Sequence, residues 1–371
     1  MGRAFTKFRI PVLILLFSVG VWLSMGINDL KVDTNPVHYF PNDSRLRVAN
    51  TKINEAFGGS TQMHILVEGD IFDPETLHNI EMLTDHIKET HEIVTKSYSI
   101  VDVIKKMNAG FNGGDPAYEI IPDDRELISQ YMFLYSITGD GDDFDLILDD
   151  MEEPSFTQVF LRLKEVQTFT IAEIVDDTEQ FIQANFYDES PMELTGGAAL
   201  LGVLTRMVLR GQLISLCFSI LIILFIMTLV FRSITGGLLA TLPMVASVVM
   251  MFGLMGYLDI PLNMTTSMLT GILVGVGVDY TVHFLWHLRD HIREGDSLDD
   301  AIANTLLISG KGILFNGLSV IVGFSALLFS VFVPVQIFGI LVMGSISFCL
   351  FGALATLPAL TSLINPKFLY R

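Results

Sequence analysis

The chain has 371 residues, of which 51% are apolar and 17% charged, and its formal net charge is −19. That balance excludes an ordinary soluble domain and suits a protein with several membrane spans, while the acidic excess argues against nucleic acid as a partner. The only cysteines, Cys217 and Cys349, both fall inside apolar runs, so no disulfide framework is on offer.

In chain order, residues 10–27 form the first apolar run, preceded by Arg3, Lys7 and Arg9. No good small-x-small cleavage site follows, so the run reads as a retained anchor and not as a signal peptide. Residues 28–210 hold 34 of the 41 acids and 13 of the 22 bases, a net −21, which leaves +2 for everything else. This segment therefore reads as a solvated domain. Its "QMHILVEG" (62–69) predicts a strand, "DPETLHNIEMLTDHIKET" a helix capped near Asp73, and "EIVTKSYSI" a second strand. After a helical insertion around 122–138, "FTQVFLRLK" (156–164), a helix over 168–185 and "MELTGG" repeat that order. Two strand–helix–strand units suggest a split βαβ, ferredoxin-like sandwich. An earlier helix over 44–57 is expected to be capped by Asn42 or Asp43, a use of Asn42 preferred here to the "NDS" glycosylation sequon.

Metal and nucleophile chemistry find little support in this segment. The dense acids of "GDGDDFDLILDD" (139–150) lack the glycine and closing-glutamate spacing of a calcium loop, and they read as solvated surface. His64, His78, His86 and His91 are dispersed and read as helix-surface or loop residues. No nucleophile–base pair emerges anywhere, so the expectation is a protein that is not an enzyme and has no metal or other cofactor.

Beyond residue 210, Leu213–Phe231 and Ile234–Leu258 are uncharged runs of crossing length, separated by Arg232. Leu262–Leu288 is long enough for another crossing although Asp279 interrupts it. Gly312–Pro366 has no charge and is long enough for two crossings, with Pro334 where a turn is needed. The total is six spans in a one-plus-five arrangement: residues 1–27, the domain 28–210, and a bundle over 211–371. With the N-terminus inside, the nine bases outside 28–210 (among them Arg289, Arg293, Lys311, Lys367 and Arg371) all fall on the cytoplasmic side. The positive-inside rule favours that orientation, with 28–210 extracytoplasmic and both termini cytoplasmic.

The informative stretch is "GILVGVGVDYTVHFLWHLRD" (271–290), where Gly271, Gly275, Asp279, His283 and His287 recur every fourth residue and share one helix face. Glycines at that spacing, with Gly277 beside them, permit close helix approach, so the stripe is expected to face protein. A charged Asp at the centre of a span costs about 2.5–3.5 kcal/mol on insertion scales and escapes by holding a proton or a partner. Asp279 is therefore a candidate proton carrier, with Tyr280 and His283 beside it. Asn316 and Ser319 on the fifth span read as helix-contact residues first and relay members second, and His287 as a residue snorkelling at the boundary.

The pattern "GVGVDYTVHFLWHLRD", the "FRSITGGLLATLPM" turn, "NGLSVIVGFSALLFS" and "FGILVMG...LATLPAL" resemble the resistance-nodulation-division transporters, specifically their MMPL-like, hopanoid- or lipid-exporter branch. The opening "VDTNPVHYFPNDSRLRVANTKINEAFGG" is similar to the start of that family's periplasmic porter domain. The resemblance implies a prokaryotic cytoplasmic-membrane protein exporting lipids or other hydrophobic molecules, driven by the proton gradient, with a periplasmic lipid carrier as an implied partner. It also implies that the relay falls on Asp279 and Tyr280. Full-length members carry two copies of this layout and the present sequence only one, so a second half is expected: a second copy as homodimer partner in two-fold symmetry above all, a related half-protein, or the missing half of a longer chain. A sterol- or lipid-sensing protein without proton transport and an accessory subunit of protein export are the competing readings.

Overall fold

The computed structural model describes residues 9–138, 146–150, 153–186 and 191–370. Arg3, Lys7, Arg371 and the larger part of the acidic 139–150 stretch lie outside the described residues. The chain divides into two compact units, one taking in the chain up to Thr34, Tyr39–Pro41 and everything from Met207, the other Asn35–His38 and Asn42–Arg206.

The first unit is helical. Its elements are α1 (Arg9–Met25) and, after the other unit, the later part of α7 (Gly196–Phe231). Then come α8 (Ile234–Tyr257), the short α9 (Met264–Ser267), α10 (Leu269–Arg293), α11 (Leu298–Ser325), α12 (Val333–Phe351) and α13 (Leu357–Ile364). Five helices are long and apolar enough to cross a membrane: Gly196–Phe231, Ile234–Tyr257, Met264–Arg293, Leu298–Phe329 and Val333–Ile364. The sixth run is shorter, an apolar helix over Leu13–Asp29.

Local chemistry explains the boundaries. Asn263 accepts from the Thr265 and Thr266 amides and caps the short α9, which leads into α10 through Met268. Ser297 caps α11 through the Asp300 amide, and Asp299 and Asp300 suit the positive end of that helix. The helix thus begins well before Gly312, where the charge-free run starts. Pro334 does not form the turn itself. It occupies the first turn of α12, where a missing N–H is harmless. Between α12 and α13, Gly352–Thr356 winds as a π-helical turn, and a Cβ at Gly352 would crowd Pro243 of α8.

The core of this unit runs through Met244, Val248, Met251, Leu273, Tyr280, Phe284, Leu341, Ile346 and Ala353. At its tightest seam, α1 meets α8 backbone to backbone. A Cβ added to Gly253 would strike the Leu23 carbonyl, and one added to Gly256 would strike that of Gly26. Trp22 stacks on Tyr257 at a ring separation of 5.1 Å, and the Tyr257 hydroxyl donates to the Trp22 carbonyl over 2.7 Å.

The second unit is α+β. It contains α2 (Arg45–Phe57), β1 (Thr61–Glu68), α3 (Pro74–Thr90), β2 (Val94–Tyr98) and α4 (Ile100–Phe111). These are followed by α5 (Arg125–Thr138), β3 (Phe156–Leu163), α6 (Thr168–Asn185) and β4 (Met192–Thr195). The strands form one antiparallel sheet in the order β2-β3-β1-β4. Alternation along β1 sends Met63, Ile65 and Val67 into the core, where they meet Leu77, Ile80 and Leu83 of α3 and Ile171 and Val175 of α6.

Asp73 caps α3 by accepting from the Glu75 amide, as the sequence suggests. The cap of α2 is Ser44, which accepts from the Arg47 amide, and not Asn42 or Asp43. Its hydroxyl reaches the third amide of the helix from the extended backbone, and the two earlier side chains precede that position. Helix α4 was not anticipated. It carries a capping box of Ser99 and Asp102, and Lys105 donates to Glu81 of α3 over 2.5 Å, a bond that raises the lysine pKa.

The glycine seam yields a measurable expectation. Gly256→Val should destabilise the helical unit by at least about 1–3 kcal/mol, because two backbones must part to admit the side chain. Gly211→Ala, with nothing within 4 Å of the added Cβ, should leave the melting temperature of the detergent-solubilised protein unchanged or slightly raised.

Candidate functional site

On α10 the fourfold spacing resolves into two unlike faces. Gly271, Gly275, Asp279, His283 and His287 are all exposed and form a strip that the chain itself does not cover. Nothing lies within 4 Å of a Cβ built on Gly271 or Gly275. Asp279 and His283 face each other along this strip, with His283 Nε2 at 3.3 Å from Asp279 Oδ1 and the two side chains 59% and 55% exposed. Among the described residues, the polar group that meets the carboxylate is His283, a turn away on its own helix.

The opposite face belongs to the core. Gly277 is the glycine of the trio that makes a helix contact, since a Cβ there would press on Cys349 Sγ and on Met244 at 3.1 and 3.2 Å. Tyr280 is 2% exposed, and its hydroxyl has no hydrogen-bond partner. Consecutive helical residues project about 100° apart. Asp279 and Tyr280 are thus neighbours in sequence that address different surroundings, the aspartate outward and the tyrosine toward α8 and α12. Buried Ser247 and Ser345 return their hydroxyls to the carbonyls one turn back, at 2.8 and 2.7 Å.

Asn316 and Ser319 are exposed on α11, where Ser319 Oγ donates to the Phe315 carbonyl over 2.8 Å. No hydrogen bond joins either residue to Asp279 or His283 among the described residues. Farther along α10, buried Thr270 accepts a hydrogen bond from Gln212 of α7, a polar tie between two apolar helices that no single-helix pattern foretells.

In the α+β unit, His86 and His91 converge on one oxygen of Asp177, with Nε2 to Oδ2 distances of 3.3 and 2.9 Å, and His86 stacks on Phe181. This cluster was missed because Asp177 lies on α6, far along the sequence from both histidines. His38 similarly meets Glu165 at 2.8 Å, whereas His64 tilts against Phe160 and leaves its buried Nε2 without a partner. Among the described residues no group of three His, Cys, Asp or Glu side chains is arranged to hold a metal ion.

Five apolar helices of crossing length, one of them carrying an ionisable pair, define a multi-pass membrane protein. The chain belongs to the MMPL family, whose pattern matches residues 158–369, and so to the resistance-nodulation-division type of membrane transporter for hydrophobic substrates. It is also 24% identical to membrane protein MJ1562 of Methanocaldococcus jannaschii, in an alignment covering 94% of this chain and 89% of that protein.

The two faces of α10 predict opposite mutational behaviour. Asp279→Asn, on the open face, should leave thermal stability within about 0.5 kcal/mol of the parent. Tyr280→Phe should be neutral or stabilising, by up to about 1–3 kcal/mol, because it deletes a buried hydroxyl that makes no bond. Melting curves of the two purified variants check both expectations.

Proposed function

We propose that this chain is one half of a proton-coupled exporter that moves lipids or other hydrophobic molecules out of a prokaryotic cytoplasmic membrane. The observation that carries the reading is the Asp279–His283 pair, set on an uncovered, glycine-lined face of an otherwise apolar helix in an MMPL-family chain. Such a face is unfavourable against acyl chains and favourable against protein. A second copy, related by a two-fold axis, is the partner that would cover it and set one relay beside the other. The relative from Methanocaldococcus jannaschii aligns with this chain over 89% of its own length, so it too carries about one copy of this layout.

Proton uptake by Asp279 from the outer side removes the charge and changes the preferred packing of α10 and α11, and release to the cytoplasm resets it. His283, one turn closer to the cytoplasmic end, is placed to pass the proton on. A membrane potential contributes about 2.3 kcal/mol per charge per 100 mV to such a cycle. Helix α7 runs from Gly196 to Phe231, so one continuous segment of chain belongs to both units. The strand order β2-β3-β1-β4 supports reading that unit as a ferredoxin-like porter domain outside the membrane. The seam between α1 and α8 supports α1 as a sixth crossing.

The test is proton flux and lipid efflux in proteoliposomes under an imposed pH gradient. Asp279→Asn should lower both by about 100-fold or more, the scale of losing a positioned proton carrier, and light scattering should give a particle of two chains. Gradient-driven efflux that survives the substitution would refute the relay. Ligand-dependent conformational change in the parent, with no proton flux at all, would instead identify a lipid sensor.

A further inference from the structure

Near the end of α10 opposite to the Asn263 cap, Arg289 is 9% exposed and, among the described residues, holds neither a carboxylate nor a hydrogen-bond acceptor, and its Nε is fully buried without a partner. What surrounds it is aromatic. The guanidinium carbon lies 4.3 Å from the Trp286 ring centroid and 5.8 Å from that of Phe231, and Phe231 in turn packs on Phe368 at 5.5 Å. A Cβ at Gly236 would collide with Phe231, so the turn between α7 and α8 closes tightly over the same place. Contacts with aromatic faces attract a cation but satisfy none of its N–H donors. A cation buried to this degree calls for an anion.

We propose that Arg289 is a binding site for a phosphate group, and that its source is the headgroup of an anionic phospholipid. The neighbouring charges fit that ligand. Arg232 follows Phe231, Arg293 lies one turn beyond Arg289, and Lys367 precedes Phe368; all three are exposed. Asp290 and Glu294 are the acids on the same helix end: Asp290 attracts Arg289 only at a distance, with no ion pair between them among the described residues, and Glu294 lies toward His291 at 3.8 Å. A planar guanidinium offers paired donors to two phosphate oxygens, which an ammonium cannot, and basic pockets between span ends are the usual seats of anionic headgroups. Trp286, 42% exposed beside it, has the amphipathic ring that residues at the lipid–water boundary carry. The proposal rests on reading α10 as a membrane span and is independent of proton coupling.

Only two tryptophans occur in the chain, so a Trp22→Phe background leaves Trp286 as the sole indole reporter. In vesicles of phosphatidylcholine doped with brominated lipid, brominated phosphatidylglycerol should reach half-maximal quenching of Trp286 at about one-fifth the mole fraction needed by brominated phosphatidylcholine, the effect of roughly one well-placed cation. Arg289→Gln should abolish that preference, Arg289→Lys should retain part of it, and Asp279→Asn should leave it whole. Equal quenching by the two lipids in the parent protein would sink the proposal without touching the transport cycle, and so would a preference that persists in Arg289→Gln. Inorganic phosphate that removes the preference at millimolar concentration would identify a soluble ion as the source and overturn the lipid assignment.

Discussion

A carboxylate on a membrane-crossing helix is tolerated only while a proton, a partner or water offsets its charge. That constraint orders the helical unit. Around α10 the chain commits the Gly277–Tyr280–Phe284 face to its own core and leaves the Asp279–His283 face to something else. The packing behind is dense: Cys349, Met244 and the π-helical turn at Gly352 leave little room for α10 to move inward. In the proposed cycle a change in protonation would express itself outward, at the uncovered strip.

The same helix spreads its polar residues along its length in an ordered way. Thr270 ties it to Gln212 near one end, the ionisable pair occupies the middle, and Arg289 sits between aromatic rings near the other. Apolar walls separate these groups, so each acts on its own surroundings and each can be changed without dismantling its neighbours. In the α+β unit, comparable work is done by side chains that arrive from distant points in the sequence. His86 and His91 share Asp177, and Arg206 at the start of α7 pairs with Asp176 and Glu179 of α6.

Much of this was legible in the residues. The stretches 62–69 and 156–164 marked β1 and β3, Asp73 announced α3, and the fourfold stripe of 271–287 placed Asp279 and His283 on one face. The sequence could not say which face would be covered, because that depends on how α8 and α12 pack on the reverse side. Gly271, Gly275 and Gly277 look alike in one dimension, yet among the described residues it is at Gly277 that an added Cβ would meet a neighbouring helix. Helix α4 escaped notice because its apolar residues follow directly on β2, with only Ser99 as punctuation. The start of α11 lies ahead of the charge-free run for another reason: absence of charge tracks the hydrocarbon, whereas a helix continues for as long as its backbone bonds and its cap allow.

The meeting of α1 and α8 at Gly26, Gly253 and Gly256 divides the bundle into parts that evolution must treat differently. Where two main chains touch, shape is the inherited quantity, and even one methyl group is an intrusion. Most of the outward side chains of α7, by contrast, need only remain greasy, so they are free to drift among leucine, isoleucine and phenylalanine. Distant descendants of this chain should keep the three glycines and little recognisable along the exposed flank of α7.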